Sequence, residues 1–236
     1  MRSSVRDAFV QFTERFEGSV GWMYLDVKGL VTVAIGNLID PLPLALGCPF
    51  VRNSDGQPAT PQEIAEEWER VKQHDELARL GHLAAKPYTL LHLTPAGIEE
   101  VVQKRLALNV LNLQRRFPEF DEWPADAQLA TLSMAWACGA NFAFPRLTAA
   151  LHRQDWTAAA VECHIEDSHN PGVRPRNAAN VTLYRNAACV AARAWDLEEL
   201  WYPRELVSDT APPPPPPSTE PEIVDVDAGA DTPETD

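Results

Sequence analysis

The chain lacks any apolar run long enough to cross a membrane. Its 236 residues contain no stretch of about eighteen consecutive apolar side chains. The first residues, Met1 to Asp7, also lack the apolar core of a secretory signal. We therefore expect no membrane span and synthesis in the cytoplasm. If the protein acts outside the cytoplasm, we expect it to leave by a non-classical route.

Cysteine is scarce and shows neither a disulfide framework nor a zinc pattern. The chain has four widely spaced cysteines and no C-x-x-C pair: Cys48, Cys138, Cys163 and Cys189. A chain of this length does not need disulfides for stability, so we expect reduced and mostly buried thiols. Cys163 and His164 with His169 fit no ordinary zinc spacing. We expect no metal and no cofactor.

Positive charge is also in short supply. The chain carries 20 Lys and Arg against 34 Asp and Glu, a formal net charge of −14. This balance disfavours nucleic acid as a partner. No basic residue follows Arg204, and the end of the chain contains six consecutive prolines, Pro212 to Pro217, among acidic and small residues. We predict one domain over residues 1–205 and a Pro-rich, acidic, disordered tail over residues 206–236.

The N-terminal part reads as a helix followed by a small hairpin. Ser4 and Asp7 resemble a capping box, apolar residues then recur at helical spacing, and Gly18 marks the helix end. Residues 22–35 predict two strands around the turn Lys28-Gly29, with a third strand to follow. The stretch from Asp40 to Pro61 is rich in proline and glycine and predicts a long loop.

The rest of the chain is mainly helical in pattern. Residues 125–138 are apolar on nearly every side, which is typical of a central, buried helix. The other predicted helices run from Thr60 to about Leu80, from Thr94 onward, over Phe144–His152, over Asp155–Ile165 and over Arg176–Leu200. A small β part beside a larger helical part predicts an α+β fold.

Two acidic residues in the first segment are candidates for catalysis. Glu17 is expected at a helix C-terminus, where the helix dipole disfavours negative charge. Asp26 is expected in a polar turn, where it stays ionised. Two carboxyl groups in unlike surroundings are what glycoside hydrolysis requires. Taken alone, the two residues are better explained as a solvated helix end and an ordinary turn acid.

The spacing of these residues resembles a known family. Glu17-Gly18, Tyr24-x-Asp26, Gly29 and Thr32-x-x-x-Gly36 resemble the catalytic segment of the T-even phage lysozyme type, glycoside hydrolase family 24. The resemblance extends to residues 133–139 and to the helices that follow, covering most of residues 4–190. It implies a lysozyme-like fold, a small β-hairpin lobe and a larger helical lobe with the cleft between them.

The resemblance also implies residue roles. Glu17 would be the acid, Asp26 the catalytic carboxylate, and Thr32 a hydroxyl that helps to hold the attacking water. Arg176 matches an arginine that pairs near the catalytic glutamate. Among the seven tryptophans, most are expected in the core, and Trp22 is our candidate for contact with a sugar.

Two departures from the family pattern affect the local structure. Asn37 replaces a histidine that commonly forms an ion pair, and Ala34 replaces a glycine. The first change bears on stability more than on chemistry. The second leaves the backbone path around this position open.

We therefore expect a peptidoglycan hydrolase, a lysozyme that cleaves the β-1,4 bond between N-acetylmuramic acid and N-acetylglucosamine, with inversion. It would act in the periplasm or on the cell wall as a monomer, as a phage endolysin or as a bacterial toxin. An immunity protein, or a delivery-machine component reached through the tail, is the expected partner. The alternatives are a lytic transglycosylase and a non-enzymatic lysozyme-like module that binds the wall or a partner.

Overall fold

A computed structural model describes residues 1–168 and 170–206 of the chain. Helices combine with two small antiparallel sheets, so the predicted α+β class is confirmed. The predicted tail, apart from Leu206, and the candidate His169 lie outside the described residues.

The first helix, α1 (Ser3–Glu17), ends at the predicted residue, and Gly18 follows with φ 70°. Its start differs from the prediction because no capping box forms at Ser4. Instead, the hydroxyl of Ser3 donates to the Glu198 carboxylate at 2.6 Å, and the Ser4 backbone N–H donates to the same oxygen at 3.1 Å. A residue distant in sequence thus supplies the cap.

The first sheet lies directly after this helix. Its strands are β1 (Val20–Leu25), β2 (Val31–Ala34) and β3 (Asn37–Leu38), paired antiparallel in that order. The turn between β1 and β2 uses Gly29 at φ 74°, a conformation that favours glycine. The predicted hairpin and its third strand are both confirmed.

The long predicted loop contains more structure than expected. A 3₁₀ helix spans Leu42–Gly47, and β4 (Phe50–Arg52) follows it. β4 pairs antiparallel with β5 (Leu91–Leu93), with Phe50 opposite Leu93. The sequence did not predict this second sheet, because each strand has only three residues and its partner lies about forty positions away.

The helix after this loop is shorter than predicted. Helix α2 (Pro61–Lys72) begins with a capping box at Thr60, but it ends before the predicted Leu80. Short turns follow: a 3₁₀ helix at Asp75–Arg79, α3 (His82–Ala85) and a 3₁₀ helix at Lys86–Tyr88. These turns bury Leu77 and Ala85 in the core. The chain therefore folds back here instead of continuing α2 as a straight helix.

The helical part comprises α4 (Pro95–Arg116), α5 (Ala125–Cys138), α6 (Pro145–His152), α7 (Trp156–Glu162) and α8 (Arg174–Arg193). As predicted, α5 is central, with residues 125–136 all buried. Helix α8 ends at Arg193, before the predicted Leu200, because Ala194 turns the chain with φ 51°. The residues after it return to α5, where Asp126 accepts hydrogen bonds from the backbones of Trp201 and Tyr202.

The cysteine prediction was wrong in one respect. All four thiols are free, but only Cys163 is buried, and Cys138 is exposed at the end of α5. Helix α5 is buried as far as Trp136, and its last turn emerges at the surface. Within the described residues, no helix is both long and apolar enough to traverse a lipid bilayer.

A buried carboxyl joins α2 to the second sheet. The Glu67 side chain is 1% exposed, and one of its oxygens accepts the backbone N–H groups of Leu90 and Leu91 at 2.5 and 2.9 Å. Its other oxygen has no hydrogen-bond partner among the described residues. Burial raises the pKa of Glu67 to about 7, although both N–H groups and Arg70 act against this rise. The native state therefore binds a proton that the unfolded chain releases between about pH 4.5 and 7.

We predict that Glu67→Gln reduces the pH dependence of stability. Because the folded pKa is the higher one, the parent protein should lose stability as pH rises from about 4.5 to 7, by an amount on the order of 2 kcal/mol from this group. Chemical denaturation at several pH values measures the slope. The matched control is Glu66→Gln, which changes an exposed neighbour on α2. Equal slopes for Glu67→Gln and the parent protein would contradict the prediction.

Candidate active site

Glu17 is held at the end of α1 by an arginine from α8. The guanidinium Nη2 of Arg176 lies 2.5 Å from Glu17 Oε1, and the side chains are 2% and 33% exposed, respectively. Arg176 Nη1 donates to the backbone oxygen and hydroxyl of Ser133 at 3.3 and 3.2 Å. Its Cζ also lies 4.8 Å from the centre of the Phe16 ring. Arg176 therefore ties α1, α5 and α8 together at Glu17.

The charge of Glu17 is subject to two opposing influences. The C-terminus of α1 disfavours a negative charge, whereas the adjacent guanidinium favours it. Burial lowers the pKa of Arg176, and the Glu17 carboxylate acts in the opposite direction. Because a third of Glu17 is exposed, a substrate can approach it from solvent while Arg176 stays behind it.

The turn between β2 and β3 lies against the other oxygen of Glu17. A Cβ atom added at Gly36, which has φ 67°, would lie 3.5 Å from Glu17 Oε2. Arg105 of α4 supports this turn, since Nη1 donates to the Gly36 oxygen at 2.6 Å and Nη2 to the Trp136 oxygen at 2.9 Å. Sequence reasoning missed Arg105, because nothing in the pattern of α4 distinguishes it from a surface arginine.

The two departures from the family pattern lie in the same turn. Ala34 has φ 54°, the left-handed conformation that glycine adopts more easily. The backbone path is thus compatible with alanine. Asn37 is buried, accepting from the Ile35 N–H at 3.2 Å and donating to the Val101 oxygen at 3.3 Å. Asn37 thus forms neutral hydrogen bonds at the position where the family pattern has a histidine.

Asp26 and Thr32 both form hydrogen bonds with the backbone of Leu30. Asp26 Oδ1 accepts the N–H groups of Lys28 and Leu30 at 2.8 and 2.9 Å. The hydroxyl of Thr32 donates to the Leu30 oxygen at 3.1 Å. No group in residues 1–168 or 170–206 donates a hydrogen bond to Asp26 Oδ2, so this oxygen is free to accept one from a water or a substrate.

Tyr24 is influenced by the charges of both carboxyl groups. It lies on β1 directly opposite Thr32 on β2. Burial and, to a smaller extent, the negative charges of Glu17 and Asp26 together raise the pKa of Tyr24 to about 12. Its hydroxyl therefore keeps its proton at neutral pH, and the charges of both carboxylates act on it. The sequence pattern included Tyr24, but it indicated no role for it.

Trp22 shares the face of β1 that carries Tyr24. Its indole N–H donates to the backbone oxygen of His82 at 2.9 Å, and the Lys86 ammonium lies 4.8 Å from the ring centre. One ring face and the polar edge are thus already in contact with the protein. Sugar contact by Trp22 stays a prediction.

In comparisons with known proteins, the chain matches no family model, and no curated protein aligns with it significantly. Among the residues that the structure describes, no group of three His, Cys, Asp or Glu side chains is arranged to hold a metal ion. We therefore infer a function from the geometry around Glu17 and from the sequence pattern.

We predict different stabilities for two substitutions at Glu17. Glu17→Gln keeps an oxygen that accepts from Arg176, so the melting temperature should change by only a few degrees. Glu17→Ala leaves a buried guanidinium without its partner and should cost on the order of 2 kcal/mol. Thermal and chemical denaturation compare the two variants with the parent protein. Equal losses for the two variants would contradict the prediction.

Proposed function

We propose that the chain is a peptidoglycan hydrolase, a lysozyme of the family 24 type that cleaves the β-1,4 bond between N-acetylmuramic acid and N-acetylglucosamine. One observation carries the proposal. Glu17 is fixed by Arg176 at a helix end, Asp26 and Thr32 are linked through the backbone of Leu30, and the charges of Glu17 and Asp26 both act on Tyr24. A carboxyl that can give a proton and a carboxylate that can hold water suit an inverting hydrolysis.

In the proposed reaction, protonated Glu17 transfers its proton to the oxygen that bridges the two sugars. The bond from the anomeric carbon to this oxygen breaks. A water held by Asp26 Oδ2 and Thr32 forms the new bond to the anomeric carbon and gives its proton to Asp26. Because that water attacks the face opposite the leaving sugar, the configuration inverts.

The contacts of Glu17 suit the role of a general acid. After proton transfer Glu17 carries a negative charge, and the Arg176 guanidinium at 2.5 Å stabilises it. Gly36 lies against the other carboxyl oxygen of Glu17, and Arg105 holds Gly36 through a hydrogen bond to its backbone oxygen.

The order of elements also supports a lysozyme-like fold. A helix that ends in the acid is followed by a small sheet, a long helix α4 and a buried central helix α5. In this proposal the sheets form the small lobe, the helices form the large lobe, and the cleft between them contains Glu17. The sequence departs from many wall enzymes in its acidity, which favours a toxin with an immunity partner over a freely diffusing endolysin.

We predict that Glu17→Gln lowers peptidoglycan hydrolysis by at least ~10²-fold, because the amide cannot transfer a proton. Release of soluble muropeptides from purified peptidoglycan measures the rate. The control is Glu14→Gln, an exposed carboxyl three residues earlier on α1. Activity within a few-fold of the parent, in a folded Glu17→Gln variant, would falsify the assignment.

The products separate hydrolysis from the transglycosylase alternative. Hydrolysis adds water and leaves a reducing N-acetylmuramic acid, whereas a lytic transglycosylase leaves a 1,6-anhydro sugar that is lighter by one water. Mass spectrometry distinguishes the two. Asp26→Asn should severely impair a hydrolase, since the water loses its base, but a transglycosylase should tolerate it.

We also predict that the first product is the α-anomer. An inverting site needs its two carboxyl groups roughly 6.5–9.5 Å apart, against about 5–5.5 Å in a retaining site. Glu17 at the end of α1 and Asp26 in the turn beyond β1 favour the wider gap. Proton NMR of the product before mutarotation decides the point, and an initial β-anomer would refute the water-holding role of Asp26 and Thr32.

A further inference from the structure

The short helix α3 borders the candidate active site. The His82 ring lies 6.1 Å from the Trp22 ring and 6.0 Å from the Tyr24 ring, measured between centres. The charges of both Glu17 and Asp26 act on Tyr24. His82 therefore packs beside a residue of the proposed reaction centre. The sequence singled out neither His82 nor the segment around it.

This border presents unpaired nitrogen donors to solvent. His82 and Lys86 are both exposed. In the described part of the chain, Lys86 forms no ion pair and the His82 ring makes no hydrogen bond. The Lys86 ammonium instead rests 4.8 Å from the centre of the Trp22 ring, which restricts its position without neutralising it. The α3 border thus presents a positive charge to solvent in a chain whose net charge is −14.

Resting on the proposed function, we propose that the α3 face, defined as Trp22, His82 and Lys86, binds a carboxylate of the substrate's peptide stem. The glycan backbone is neutral where its lactyl groups are amide-linked to peptide stems, and the stems carry free carboxylates. A substrate that lies along β1 from Tyr24 to Trp22 brings its stem towards α3. Lys86 and His82 can then donate to a carboxylate, and Trp22 positions Lys86 rather than stacking on a sugar.

The test measures binding to the inactive Glu17→Gln protein, so that no ligand is consumed. The ligands are a stem-bearing peptidoglycan tetrasaccharide, the same glycan with its stems removed, and neutral chitotetraose. Lys86→Gln should weaken binding of the stem-bearing glycan by about 3- to 5-fold, and addition of His82→Gln should increase the loss. Binding of chitotetraose should not change. Raised salt should shrink the difference, since exposed charges are screened.

Two controls separate charge from structure. Lys86→Arg keeps the cation and should keep the affinity. Arg146→Gln removes an 85% exposed cation on α6 and should change nothing. An equal loss for chitotetraose, an equal loss for the stem-free glycan, or no loss for any ligand overturns the proposal, as does a failure of the Glu17→Gln protein to bind the stem-bearing glycan.

The outcome is distinguishable from failure of the proposed function. If the parent protein hydrolyses peptidoglycan and Glu17→Gln does not, a null result for Lys86 removes only the stem-binding role. If the parent protein does not hydrolyse peptidoglycan, the proposed reaction fails, while the binding series still reports on the α3 face.

Discussion

The ion pair between Arg176 and Glu17 is the interaction on which the site depends. A buried guanidinium is costly unless its donors are satisfied, and here Ser133 and Glu17 accept from it while Phe16 lies beneath it. The need to satisfy Arg176 fixes how α1, α5 and α8 meet. The same contact leaves Glu17 partly exposed, at the surface of the core and at the edge of the sheet.

The second sheet and the turns next to it form one side of the candidate site. Glu67 secures β5 to α2 through two backbone N–H groups, and β5 packs closely on Gly21 of β1. Helix α3 also packs against this strand, where His82 contacts Trp22 and Tyr24. Glu67, through β5, thus contributes to the packing around β1.

Local features of the sequence predicted local structure well. Helix α1 ends at Glu17, the turn lies at Gly29, α2 starts at Thr60, and α5 is buried. Each of these depends on a few neighbouring residues: a glycine, a capping pair or an apolar run. The errors have a common cause, since contacts between distant residues override local preference at the start of α1, at the ends of α2 and α8, and in the pairing of β4 with β5.

The sequence by itself determined the candidate carboxyls and their spacing, because the intervals from Glu17 to Asp26 and Thr32 are short and lie within one helix and one hairpin. It also pointed to Arg176, although only through a family resemblance. Only the tertiary structure decided that Arg176 touches Glu17, that the charges of Glu17 and Asp26 both act on Tyr24, and that Arg105 and α3 pack beside Gly36 and Tyr24. Those contacts join residues up to 159 positions apart, and local patterns carry no information about packing over such separations.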